Sequence, residues 1–187
     1  MEPTIYKPSI YKGEGIYKLG AGGGDIPTEG NIDIAGITYR FVKIGGVFVL
    51  ADDLEYNGDK WFSRDKVLTA LSDSDFMPEG WRIWTEADIF YIQQVVIFQG
   101  YIANPSKALR SISGWINGNG DDNFGFNAEP FGYMDGGTNQ ENGLSYLFRT
   151  SNATSHYVLN QNTNITRYTG DSVTYGFGMR LRAVKDV

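Results

Sequence analysis

The chain contains one histidine, His156, and no cysteine. Absent cysteine excludes disulfides, thiol nucleophiles and thiolate-ligated metals. A lone histidine supplies too few nitrogen ligands for zinc catalysis. As a catalytic base it would need a nucleophile and an orienting acid, and no Gly-x-Ser-x-Gly turn frames a serine. His156 therefore reads as an ordinary strand residue. Oxygen ligands are more plentiful, with Asn117, Asn119, Asp121, Asp122 and Asn123 close together. Their order is not the Asp-x-Asp-x-Asp-Gly of a calcium loop, and Asx turns account for them better. Glu129, Asp135 and Glu141 are candidates for a glycosidase pair, but carboxylates in a Gly/Asn-rich loop read as solvated. No enzyme activity, metal or cofactor is expected.

Binding is the chemistry that fits better. Trp115, Phe124, Phe131 and Tyr133 are interspersed through a stretch rich in Gly, Asn and Asp, from Ser113 to Gly143. Such residues stack on a sugar or a protein partner, or else pack the loop internally. Loops of this length inside a compact domain are usually functional. The expected ligand-binding set is Trp115, Asn119, Asp121, Asp122, Phe131, Tyr133 and Asp135.

Those loops need a scaffold. Ile37 to Val42 alternates like a half-buried strand, Ile44-Gly45-Gly46 turns the chain, and Val47 to Leu50 reads as its return partner. Asp52 to Asp75 reads as a polar surface connection, with a short helical piece over Arg64–Leu71. Thr85 followed by Asp88 resembles a capping box and predicts a helix over Glu86–Phe98, with Ile89, Phe90, Val96 and Ile97 buried and Gly100 as its stop. Beyond Ala103 helical periodicity is weak. Leu144–Arg149, His156–Leu159 and Tyr175–Val184 read as strands, the last with Arg180 and Arg182 on the face opposite Met179 and Leu181. A hairpin, a helix and late strands predict an α+β fold whose ends meet in one sheet.

With a net charge of −6 the chain lacks the basic stripe that nucleic acid or an anionic membrane surface would require. No stretch is long and apolar enough to span a bilayer, and Met1 to Lys12 do not have the pattern of a secretory signal. Residues 1–24 form a separate segment. Ile-Tyr-Lys occurs at 5–7, 10–12 and 16–18, and Gly20 to Gly24 follows as a hinge. Ile5, Tyr6, Ile10, Tyr11, Ile16 and Tyr17 are expected to anchor this segment in the groove or sheet edge of another protein. Residues 25–187 form the globular domain.

Several ordered stretches carry a family resemblance: Gly36–Gly45, Leu50–Tyr56, Gly80–Asp88, Ala108–Ser111 with Gly114-Trp115, Asn119–Ala128, Gly132-Tyr133 and Tyr175–Asp186. From about Ile34 to Val187 the chain resembles the Fibrobacter succinogenes major paralogous domain, a C-type-lectin-like family. The resemblance implies a small twisted antiparallel sheet, about two helices and long ordered loops, in a surface module that binds sugars or proteins. Departures from the pattern are Phe48-Val49-Leu50 in place of a tryptophan-containing motif, Trp84 in place of proline and Ala183 in place of cysteine. Glu129-Pro130 matches two residues of the sugar-binding tripeptide of calcium-dependent lectins, but Phe131 stands where asparagine should.

The N-terminal segment separately resembles the N-termini of structural proteins in tailed phages of Bacteroidetes. Together the two resemblances imply a virion appendage protein of a head or tail fibre. It would dock on other virion structural proteins, display its domain to a host surface glycan or a neighbouring subunit, and form a homo-oligomer, with a trimer favoured. The alternative is a bacterial cell-surface adhesin that binds carbohydrate. An enzyme related through the fold to oxidative sulfatase-modifying proteins is disfavoured by the missing cysteines.

Overall fold

The computed structural model describes residues 28–153, 155–160, 165–169 and 176–187. The Ile-Tyr-Lys triplets, with Ile5, Tyr6, Ile10, Tyr11, Ile16 and Tyr17, and the glycine run lie outside the described residues.

The fold is α+β, built mainly from antiparallel sheet. Strands β1 (Glu29–Ile34) and β2 (Ile37–Ile44) are joined by Ala35 and Gly36, both at positive φ, as the twist of a tight hairpin demands. β2 returns through Gly45-Gly46 into β3 (Val47–Leu50), with Phe41 opposite Leu50 and Ile44 opposite Val47. Gly45 is required twice over: its φ is 64°, and a Cβ there would lie 2.6 Å from the Tyr91 hydroxyl. The final strand, β10 (Ala183–Asp186), inserts between β3 and β4 (Arg82–Ile83), so the order is β1-β2-β3-β10-β4. The early hairpin and the end of the chain thus share one sheet, as the sequence predicted.

The helix α2 spans Glu86–Phe98 as predicted, because its cap is local chemistry. The Asp88 amide donates to Thr85 Oγ1 (3.3 Å), and the Thr85 amide donates to the Asp88 carboxylate (2.6 Å). Arg82 clamps the same carboxylate at 2.5 and 2.9 Å. Burial works against the Asp88 charge, but the Arg82 and Thr85 donors outweigh it and hold the carboxyl below its usual value. The inward stripe is Asp88, Ile89, Ile92 and Val96. Phe90, expected in the core, is 64% exposed, and Ile97 is only half-buried. A helix apolar all round carries no amphipathic signal to say which stripe faces in.

The stretch Asp52–Asp75 is not the surface connection expected of it. Leu54, Phe62 and Val67 are fully buried, although the stretch is mostly polar. Within it lies α1 (Arg64–Ser72), capped by Ser63 accepting from the Lys66 amide. A short helix, α3 (Pro105–Leu109), follows α2 and is too brief to show periodicity. The long loop contains an unforeseen hairpin of β5 (Tyr133–Asp135) and β6 (Thr138–Gln140). A three-stranded antiparallel sheet is formed by β7 (Ser145–Arg149), β8 (Ser155–Asn160) and β9 (Thr166–Thr169). Of the late strand expected over Tyr175–Val184, Tyr175 lies outside the described residues and the rest is not continuous. Gly178, Met179 and Arg180 make single bridges to Met134, Phe62 and Phe148, and continuous pairing begins only at Ala183.

Arg180 and Arg182 are both buried. Arg182 Nε donates to Asp53 (3.0 Å) and to the Tyr146 hydroxyl (2.8 Å). Its remaining nitrogens donate to the carbonyls of Leu50, Phe126 and Asn127. Arg180 pairs with the second Asp53 oxygen at 3.5 Å. Burial above all, only partly offset by the Arg182 charge and reinforced by Asp53, pushes the Tyr146 phenol well above its ordinary value. This polar knot ties the first sheet, the long loop and β7 together.

Candidate functional site

The sheet β7-β8-β9 has two working faces, set by the two-residue period of a strand. Tyr146, Phe148, Tyr157 and Leu159 point into the main core. The alternate residues, Ser145, Leu147, His156, Val158, Asn160 and Tyr168, point the other way and line a recess of about 470 Å³. That volume is within the range of small-ligand sites. Register aligns the lining in rows: Ser145 faces Asn160, Leu147 faces Val158, and His156 faces Tyr168.

The opposite wall comes from distant parts of the chain. The Met134 amide donates to the Gly178 carbonyl and the Gly178 amide to the Met134 carbonyl, both at 2.8 Å. This pairing lays Phe177 and Met179 over the sheet beside Tyr133. The Tyr133 and Phe177 rings stack at 5.0 Å and 27°. On the sheet side His156 and Tyr168 stack at 5.3 Å and 10°. Leu147, Val158 and Met179 form an apolar floor. The polar rim comprises Glu141, whose carboxylate accepts from Ser145 Oγ at 2.6 Å, and Asn160. Gly132 lets β5 approach: its amide donates to the Ser145 carbonyl, and a Cβ at its φ of 64° would meet the Gln140 carbonyl oxygen at 1.8 Å.

Arg149 holds the recess in place from the end of β7. It is fully buried and donates to the carbonyls of Phe62 and Phe177, both at 2.9 Å. Burial, with the nearby Arg64 charge, pulls its pKa down to about 10, so it remains a cation at neutral pH. One end of β7 thereby fixes the Tyr133–Phe177 wall.

Of the residues expected to bind ligand, Tyr133 alone lines this recess. Trp115 is buried, with its indole N–H on Ser111 Oγ and the Arg110 guanidinium over its ring at 4.8 Å. Asn119 accepts from the Trp115 amide, and Asp122 accepts from the Asn127 amide at 2.7 Å. Asp121 pairs with Lys107 at 3.0 Å. Phe131 lies under the Arg180 guanidinium at 4.3 Å. Asp135 is exposed at the β5–β6 hairpin. Among the described residues no group of His, Asp and Glu is placed to hold a metal ion. His156, Tyr168 and Phe177 were missed as site residues. The signal that finds His156 is alternation, because a strand that buries Tyr157 and Leu159 must present its other residues to a second surface; Tyr168 and Phe177 follow only from long-range pairing.

A second recess, of about 440 Å³, lies beside Tyr56, Asp73, Asp75 and Phe76. Its rim includes the Tyr56 hydroxyl, which donates to Asp73, and the Asp75 amide, which donates to the same carboxylate. The first recess, with two aromatic stacks and a hydrogen-bonding rim, is the better ligand site. No family model, curated protein or solved structure matches the chain.

Proposed function

We propose that the chain is a non-enzymatic binding and assembly protein of a phage particle, a head- or tail-fibre appendage with a C-type-lectin-like domain. The observation that carries the binding part is the recess between the Tyr133–Phe177 and His156–Tyr168 stacks. Aromatic faces meet the C–H faces of a sugar ring, while Glu141, Ser145 and Asn160 offer acceptors and donors for its hydroxyls. Ser145 donates its hydroxyl to Glu141, which orients both groups at the rim. The buried knot of Asp53, Tyr146 and Arg182 gives the recess a rigid backing.

The lectin-like reading is supported by the sheet that joins both ends of the domain, by α2 and by the long ordered loop. The address on a virion rests on the Ile-Tyr-Lys triplets and the glycine run of residues 1–24. That segment would join other virion structural proteins, leaving the recess to face a host glycan. A bacterial surface adhesin would use the same recess and differs only in address.

A glycan array probed with the full chain tests the binding part. The expected ligand is a neutral sugar, since Glu141 rims the site and the chain is acidic. Binding should survive chelation of calcium, because Glu141 is the single carboxylate among the described residues lining the recess. Failure to bind any glycan removes the sugar reading. Mass spectrometry of gradient-purified, salt-washed particles tests the address, with stoichiometric presence expected and absence overturning it.

A further inference from the structure

Among the described residues, the outer stripe of α2 is left largely exposed. Phe90 is 64% exposed, Tyr91 39% and Phe98 76%, and Ile102, just past the end of the helix, is 74% exposed. Phe90, Gln94 and Phe98 fall on one side at helical spacing, opposite the buried stripe of Ile89, Ile92 and Val96. From Ile89 to Ser106 the chain carries no charged residue. The helix is thus apolar on both sides, a pattern that belongs to a buried helix. Its position is fixed, since the Gly46 amide donates to the Tyr91 hydroxyl at 2.7 Å.

We propose that this stripe packs against the same stripe of a second copy of the chain. Two arguments support a second copy as the occupant. A surface that meets itself must tolerate its own charges, and a chain of net charge −6 repels its copies wherever that charge is displayed. The uncharged stripe avoids this penalty, and it has the charge-depleted, aromatic-rich composition of an interface core. The area is also sufficient. With aromatic side chains offering about 150–250 Å² each, the four exposed side chains contribute roughly 500 Å² per copy. Two copies would then bury about 1,000 Å² of apolar surface, the lower bound of a specific interface before any polar rim is added. The inference does not depend on what the recess binds.

Sedimentation analysis of the full chain over a wide concentration range reads the outcome. The wild type should be larger than a monomer. The double substitution Phe90→Glu, Phe98→Glu should weaken association roughly tenfold or more while leaving the circular dichroism spectrum and melting temperature nearly unchanged, since both side chains are exposed. A monomeric wild type, or a double variant that keeps the wild-type mass, overturns the proposal. Cysteine cross-linking gives a second reading on a chain with no native thiol. Gln94→Cys should form disulfide-linked dimers on mild oxidation, and Leu68→Cys, exposed on α1, should not. Equal cross-linking of the two variants also overturns it.

Discussion

The two faces of the β7-β8-β9 sheet come from the same strands and serve opposite ends. The inner face presents Tyr146, Phe148, Tyr157 and Leu159 to a continuous core, with Phe148 stacked on Tyr157 at 5.6 Å and tilted against Trp84 at 4.6 Å. The outer face presents Leu147, His156, Val158 and Tyr168 to a recess about 470 Å³ in volume. A single step along the strand thus moves a side chain from the main core to the recess. Substitutions on the inner face should cost stability, and those at the exposed Tyr168 of the outer face should cost binding.

Asp53→Ala should have the largest effect. It leaves Arg182 buried without its carboxylate and removes the partner of the Tyr146 hydroxyl. The expected loss is about 3–5 kcal/mol, read from urea unfolding. A loss below about 1 kcal/mol would show that the backbone carbonyls around Arg182 suffice without the carboxylate. Leu159→Ala, fully buried on the inner face, should cost about 2–5 kcal/mol with its cavity. Intact binding by the surviving folded fraction would sharpen the separation of faces.

An intermediate effect belongs to the cap of α2. Thr85→Ala should cost about 1 kcal/mol. Asp88 adds a pH signature. Its folded pKa lies below the ordinary carboxylate value of about 3.9, so its contribution is complete above that pH and is lost as pH falls through the folded value. Asp88→Asn should therefore be less stable than wild type at neutral pH, with the gap closing only in strong acid. An unchanged gap across acid unfolding curves would detach the cap from the Asp88 charge.

The smallest stability effect is expected at Tyr168→Ala, on the outer face and 47% exposed, within about 0.5 kcal/mol of wild type. Its effect should appear in ligand affinity instead.

How far the sequence could be read follows the distance over which each feature is determined. The α2 helix was legible because Thr85 and Asp88 lie three residues apart, and the β2–β3 hairpin because Gly45 marks its turn. The knot was not legible, because Arg182 lies 129 residues from Asp53 and 36 from Tyr146. Two arginines alternating with Met179 and Leu181 look like a solvent face until those partners are known. The same applies to the site. Trp115 and Phe131 carry the composition of a sugar platform, yet Arg110 and Arg180 cover their rings. Tyr133 joins Phe177 only through the pairing of Met134 with Gly178, 44 residues apart in sequence.

The central claim is that the outer-face recess, rather than the Asn/Asp loop, is the ligand site. The most direct test titrates a glycan selected on the array against wild type, Tyr168→Ala and Asp121→Ala by calorimetry. The account predicts roughly tenfold weaker binding for Tyr168→Ala and wild-type affinity for Asp121→Ala. Wild-type affinity in Tyr168→Ala, together with a loss in Asp121→Ala, would contradict it.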